Sequence, residues 1–243
     1  MKMRSTALAI AWFIALVGFC GTSSATSLRV APVLIDLREP AAASAIRVWN
    51  DASRPINVQI RVFRWVQRNG QDSYEATNDV VASPPMVKLK PGGENLVRVV
   101  RTSKRPVQKE ESYRLIVDEL PNPSRRSSGT VVLVVRHSIP VFFSASETQG
   151  AGPNWSVQRK PGGFLVTLRN GGDMRFKVSN LTLRSGGSIL ARREGLVGYA
   201  LGNSTARWFV PASGRGKASG SSVTILAESE AGHFDASVRL SDG

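Results

Sequence analysis

The chain is predicted to be all-β, with a sandwich in each half. Short runs rich in Val, Ile, Leu, Phe and Trp recur along most of its 243 residues, between clusters of Gly, Pro, Asn and Ser. Almost no stretch carries the 3.6-residue period of an amphipathic helix. Strands at such spacing are the pattern of a β-sandwich. A small, polar, Gly-rich segment at Ser144–Asn154 divides them into two sets. No repeat long enough for a propeller or solenoid is present.

The first element precedes the fold. Lys2 and Arg4 form a positive start, Ala7 to Cys20 is apolar, and Ser23 and Ala25 stand three and one residues before a cleavage at Thr26. This is the layout of a signal peptide over residues 1–25. The apolar run is too short and too closely flanked for a transmembrane helix. A lipoprotein site at Cys20 is disfavoured by Phe19, which stands where a small residue is needed. The mature chain is expected to be exported, soluble once cleaved and free of cysteine, because Cys20 is the only one. Export permits disulfides, so this protein is expected to rely on core packing alone.

The formal charge is +14. Such a balance suits nucleic acid, an anionic surface or an acidic protein partner. The basic residues are spread along the chain, no nucleic-acid motif is recognisable, and an exported protein seldom meets nucleic acid. That partner ranks last.

Along the mature chain, Ser27–Asp36 reads as extended, with Pro32 suited to an edge. Ala45–Trp49 is a strand and Asn50–Pro55 its turn. Ile56–Gln67 alternates Val58, Ile60 and Val62 against Arg61, Phe63 and Trp65, as a half-buried strand does. Asn69-Gly70 signals a hairpin, and Ser83-Pro84-Pro85 a stiff corner suited to a cis bond. Pro91-Gly92-Gly93 turns into a strand at Asn95–Arg101. Ser112–Leu120 is another, followed by a basic loop at Pro121–Gly129 and a long apolar run to Phe143. Beyond the boundary, strands are expected at Trp155–Val157, Gly163–Asn170, Arg175–Leu183, Ser188–Arg192, Arg207–Val210, Ser221–Ala227 and Asp235–Leu240. Turns or loops fall at Asn170-Gly171-Gly172, Ser185-Gly186-Gly187 and Ser213–Ser222.

Catalytic constellations are thin. The two histidines, His137 and His233, fall in different halves, and neither has a spaced His, Cys or Asp neighbour typical of a metal site. There is no G-x-S-x-G elbow and no phosphate-binding glycine loop. Asp118 and Glu119 are adjacent on a strand, so they point to opposite faces and make no acid/base pair. With Glu111 they read as partners for the many arginines. No enzyme, cofactor or metal is expected.

The stretch Gly129–Phe143, GTVVLVVRHSIPVFF, is read as the working part. Counting in twos, Val131, Leu133, Val135, Ile139 and Phe143 share one face, and Val132 and Val134 the other. A strand apolar on both sides either lies buried or keeps an apolar row free for a partner, and a bare edge of that kind invites aggregation unless protected.

Further residues carry a resemblance. S-P-P-x-x-x-L-x-P-G-x-x-x-x-V-R-V at Ser83–Val99 is followed by E-S-Y-R-L-x-V-x-E-L-P at Glu111–Pro121 and by the strand ending I-P-V-F-F. Together these resemble the PapD-like periplasmic chaperones of pilus and fimbria assembly. The VFRW, VASPP and SIPVFF segments are similar to the Csu-type, spore-coat-U-associated (archaic) branch. The likeness covers residues 28–145 well, and the second half by length and strand content.

The resemblance implies two immunoglobulin-like sandwiches set as a boomerang, here residues 26–145 and 146–243. It implies a periplasmic chaperone that caps pilus subunits, incomplete immunoglobulin-like folds, by donating a strand to their open groove, and that delivers them to an outer-membrane usher without ATP. The donor residues would be Val131, Leu133 and Val135, with Thr130 and Ile139 at the ends. Self-association of the free chaperone would shield that row. Better-known members grip the subunit's C-terminal carboxylate with two basic residues, whose positions fall near Pro32 and on Pro140 here. Arg98 and Arg101, on the strand after the Pro91-Gly92-Gly93 turn, are the first choices as substitutes, and Arg114 and Arg136 follow, since Arg binds a carboxylate through two parallel bonds. The second-domain disulfide of some members has no cysteine to form it.

The reading from another class is an exported two-domain adhesion or carbohydrate-binding module. It would be favoured by aromatics clustered on loops, whereas Trp49, Trp65, Trp155 and Trp208 are scattered among expected strands.

Overall fold

The computed structural model describes residues 28–121, 133–213 and 221–242. The expected signal peptide, Thr130, Val131 and most of the loops after Leu120 and Ser213 lie outside the described residues. Those described form strands and turns, with no helix.

The first half contains β1 (Leu28–Ala31), β2 (Ile35–Arg38), β3 (Ala43–Asn50), β4 (Ile56–Arg68), β5 (Gln71–Ala76), β6 (Val80–Ser83), β7 (Met86–Leu89), β8 (Glu94–Arg101), β9 (Glu111–Leu120) and β10 (Arg136–Ser144). A four-stranded sheet runs β1-β3-β8-β6. It faces a second sheet ordered β2-β10-β9-β4-β5, with β7 also paired to β4. Ile46, Val48, Val58, Ile60, Val97, Val99, Leu115, Val117, Ile139 and Val141 interdigitate between the sheets as one core, as period-two alternation requires. The stretch around Pro32 is not one strand. It crosses from one sheet to the other, since β1 pairs with β3 and β2 with β10.

The second half contains β11 (Pro153–Lys160), β12 (Gly163–Asn170), β13 (Phe176–Ser185), β14 (Ser188–Ala200), β15 (Thr205–Pro211), β16 (Ser222–Ser229) and β17 (Gly232–Ser241). Their order is β14-β13-β16-β17-β11-β12-β15. A bridge between Ala191 and Ala212 brings the two ends of this series together, which covers edges that would otherwise be open. Leu168, Leu181, Leu183, Val210 and Ile225 belong to its separate core. Trp155 and Trp208 are not scattered in space. They gather with Phe176 and Phe234, half-buried against that core.

Two buried asparagines tie strand ends together. Asn50 Nδ2 donates to the carbonyls of Arg54, Leu89 and Lys90. Asn170 Nδ2 donates to Met174, Ala200 and Leu201, while its Oδ1 accepts from Gly152 and Gly172. Each replaces with one side chain the hydrogen bonds that buried carbonyls need.

The halves meet on the outer face of the β9 sheet. Trp65 and Phe142, which point away from their own core, pack with Tyr199 and Leu201. Beside them the Arg175 side chain, 3% exposed, holds Asp36 and Glu230 at 2.6 and 2.9 Å, and Glu110 as well. Its guanidinium lies 3.9 Å from the centre of the Phe142 ring.

Three strands escaped the sequence reading: β5, β6 and β7. β5 is polar because it is a sheet edge with both faces largely in water, and the other two are four residues long. The Asn69-Gly70 hairpin does join β4 to β5, with both residues at positive φ. The Ser83–Pro84 bond is cis.

Candidate functional site

The site is built on β10. This strand pairs with β9 from Arg136 to Phe143 but with β2 only from Val141 to Ser144. Its first half therefore has one edge that no described strand covers. The Glu119 N–H donates to the Val135 carbonyl at 2.9 Å. Antiparallel alternation then turns the main-chain groups of Val134, Arg136 and Ser138 toward the uncovered edge.

Side chains divide along the same strand. Ile139, Val141 and Phe143 point into the first core, and Val135 packs on its rim. Leu133 is 85% exposed and Val134 47% exposed. A period-two apolar row thus leaves its own domain between Val135 and Leu133. His137 sits in the same row, and its Nε2 lies 2.9 Å from the Leu28 carbonyl. Ile139, expected at the end of the donor row, is 2% exposed and packs in the core. It has no surface left for a partner. The continuous strand expected from Gly129 is, among the described residues, a strand that starts at Arg136.

The four arginine candidates separate. Arg98 is exposed on β8, in the four-stranded sheet, on the side away from the core-facing Val97 and Val99. That is the sheet remote from the second domain. Arg101 points inward, 7% exposed at its side chain, and is held by Glu111 through two bonds of 2.8 and 2.9 Å. Its charge is committed within the fold, which corrects its place among the first choices. Arg136 is exposed and bound to Asp118, whose other oxygen takes Arg61. Burial works against the charged form of Asp118, yet hydrogen bonds from Arg136 and Arg61 outweigh it and hold its carboxyl below the usual range.

Arg114 differs from the rest. It lies on the outer face of β9, 3.7 Å over the Trp65 ring. Among the described residues it has no carboxylate partner, and its Nε is buried with no hydrogen-bond acceptor. Burial pulls its pKa down, and the nearby Asp72, which forms no ion pair with it, offsets this only in part. The register places Arg114 directly across from Pro140. The position where the resemblance leads one to expect a basic residue is therefore the cross-strand neighbour of this arginine, and such neighbours lie about 5 Å apart at Cβ. Arg114 opens on a cavity of about 400 Å³ walled by Gln67, Gly70 and Asp72 of the β4–β5 hairpin and by Tyr199, Arg207 and Trp208 of the second half, so that two arginines and one carboxylate face it. The sequence offered no signal for this, because cross-strand register is not written in a single strand. Pro32 is exposed at the sheet crossover.

Residues 27–148 match the family model of the pili and flagellar-assembly chaperones, PapD N-terminal domain. No curated protein matches the sequence. Among solved structures, the chain is similar to one from the chaperone–tip adhesion subunit pre-assembly complex CsuC–CsuE of the archaic Csu pili of Acinetobacter baumannii. That match has 26% identity and a TM-score of 0.65, covering 90% of this chain and 100% of that one. The Escherichia coli chaperone DraB shares the fold at 22% identity and a TM-score of 0.56, over 87% of this chain and 96% of that one. So does a chain of the Salmonella enterica SafA pilin complex with the SafB chaperone, at 14% identity and a TM-score of 0.59, over 89% and 98%.

Proposed function

Since the chain belongs to the PapD-type pili and flagellar-assembly chaperones, we propose that it caps pilus subunits by strand donation in the periplasm and hands them to an outer-membrane usher. The observation that carries this reading is the split in β10. The strand is anchored in a core through Ile139, Val141 and Phe143, and the segment leading into it leaves Leu133 in water. An exposed leucine continuing a core row is a stored apolar contact. Burying it in a subunit's groove contributes roughly 1.5–3 kcal/mol, and the uncovered main chain of Val134, Arg136 and Ser138 supplies strand-pairing bonds.

On this reading the donor row is Val131, Leu133 and Val135, and Arg114 receives the subunit's terminal carboxylate. Arg114 fits that role because no carboxylate pairs with it directly among the described residues and its Nε lacks an acceptor, which a bound carboxylate would supply. The chemistry is binding alone. On this reading the groups in the cleft serve to hold and orient a chain end. Cleavage of the leader near Ala25 would place the protein in the periplasm.

Co-expression with the subunit encoded beside it, followed by pull-down, tests the reading. Wild type is expected to bring down a soluble one-to-one complex. Leu133→Glu is expected to fold with an unchanged melting temperature and capture nothing. A folded Leu133→Glu that captures as well as wild type would reject strand donation.

A further inference from the structure

Gln67, two residues past Trp65 on β4, reaches the second domain. Its Nε2 donates to the Tyr199 carbonyl at 2.8 Å, and its Oε1 accepts the Leu201 N–H at 2.9 Å. An amide that donates to one residue and accepts from the residue two further on pairs with main chain as a strand would. It does so where β14 ends, at Ala200.

The hairpin turn beyond it adds two bonds. The Arg207 N–H donates to the Gly70 carbonyl at 3.1 Å, and Arg207 Nη1 to the Asn69 carbonyl at 3.1 Å. Gly70 has φ +81, and a Cβ there would stand 2.6 Å from Arg207 Cγ. The turn can close on β15 in this way only without a side chain. The same hairpin walls the cavity beside Arg114, whereas the Arg175 network grips the domains through β2 and Glu110.

We propose that these contacts form a latch, with Gln67 as its central group, and that Gln67 is a positioning residue for subunit capture. The latch holds the β4–β5 hairpin at a set distance from β14 and β15, and so holds the Arg114 cavity at the width that seats a subunit's terminal carboxylate. This rests on the reading of Arg114 given above, and the experiment separates the two.

Spin labels on cysteines introduced at Lys88 and Ser188, both exposed, report the distance between the domains, since the only native cysteine, Cys20, lies in the expected leader. Wild type is expected to give one narrow distance distribution. Gln67→Ala is expected to broaden it and to weaken capture of the neighbouring-gene subunit at least fivefold, with each core still cooperative in unfolding. Gly70→Ala is expected to broaden it in the same way, from the turn side. Because Gln67 acts through Arg114, its loss should add less than twofold once Arg114→Ala is present. An unchanged distribution in both variants overturns the latch. A broadened distribution with undiminished capture, in a protein where Arg114→Ala does weaken capture, overturns the positioning role and leaves the anchor standing. Undiminished capture by Arg114→Ala alone removes the anchor, while the latch still stands or falls on the distances.

Discussion

Arginines that look alike in the sequence differ in what answers their charge. Arg101 has Glu111 and Arg136 has Asp118, whereas Arg114 has an aromatic face and an unbonded Nε. A half-buried cation with no carboxylate in direct contact costs the fold and is available to a ligand. Replacing Arg114 by Met should therefore leave stability within about 1 kcal/mol of wild type, since the lost contact with Trp65 is of the same order as the desolvation relieved. Urea unfolding checks this. The same change should weaken subunit capture by about 2 kcal/mol or more, the scale for removing one partner of a buried charge pair. A large loss of stability with little loss of capture would make Arg114 structural. The Arg114–Pro140 register escaped the sequence reading for a plain reason. Side chains 26 positions apart become neighbours only when two strands pair, and a strand's own pattern does not state its partner's register.

At the scale of the element, β10 carries one apolar row that serves two environments. Alternation made the row visible in the sequence, because burial by the chain's own core and burial by a partner impose the same period of two. For that reason alternation could not locate the point where one gives way to the other. Spacing alone puts Ile139 in the donor row, yet it packs in the core. The two ends should respond differently to truncation. Ile139→Ala should cost about 2–5 kcal/mol of stability, as other buried aliphatic deletions do. Leu133→Ala should cost within about 0.5 kcal/mol, as exposed positions do. Chemical denaturation of both variants tests this, and equal losses would contradict the split. The polar edge strand β5 was missed for the complementary reason: a strand with little to bury leaves little pattern.

At the scale of the whole molecule, charge pairing holds the parts together. Asp79 is held below the usual carboxylate range by its hydrogen bond from Arg64, with Arg105 adding to the effect. Burial opposes ionisation of Glu111, but bonds from Arg101 and Tyr113 prevail and lower it, as arginines do for Asp118. A carboxyl whose folded pKa is depressed adds stability that is full above its unfolded value and is lost as pH falls through the folded value. Glu110 runs the other way, raised by burial despite Arg175. The depressed groups Asp79, Glu111 and Asp118 lose their contribution on acidification while Glu110 gains, so with the depressed groups dominant the urea midpoint should fall below about pH 4. Asp118→Asn should lower the midpoint at neutral pH and flatten the acid limb. A midpoint that rises on acidification would contradict this balance. The all-β, two-domain architecture was legible from strand spacing. The Arg175 network was not, since Asp36, Glu110, Arg175 and Glu230 converge only after both halves have folded.

Strand donation is tested most directly by amide hydrogen exchange, measured residue by residue on the free protein and on its complex with the subunit. Val134, Arg136 and Ser138 face the uncovered edge. Their amides should exchange readily in the free protein and become strongly protected in the complex, while Ile139 and Val141, already bonded within the fold, change little. Unchanged exchange at Val134, Arg136 and Ser138 in a stable complex would mean that the subunit is held elsewhere and that β10 serves only its own core.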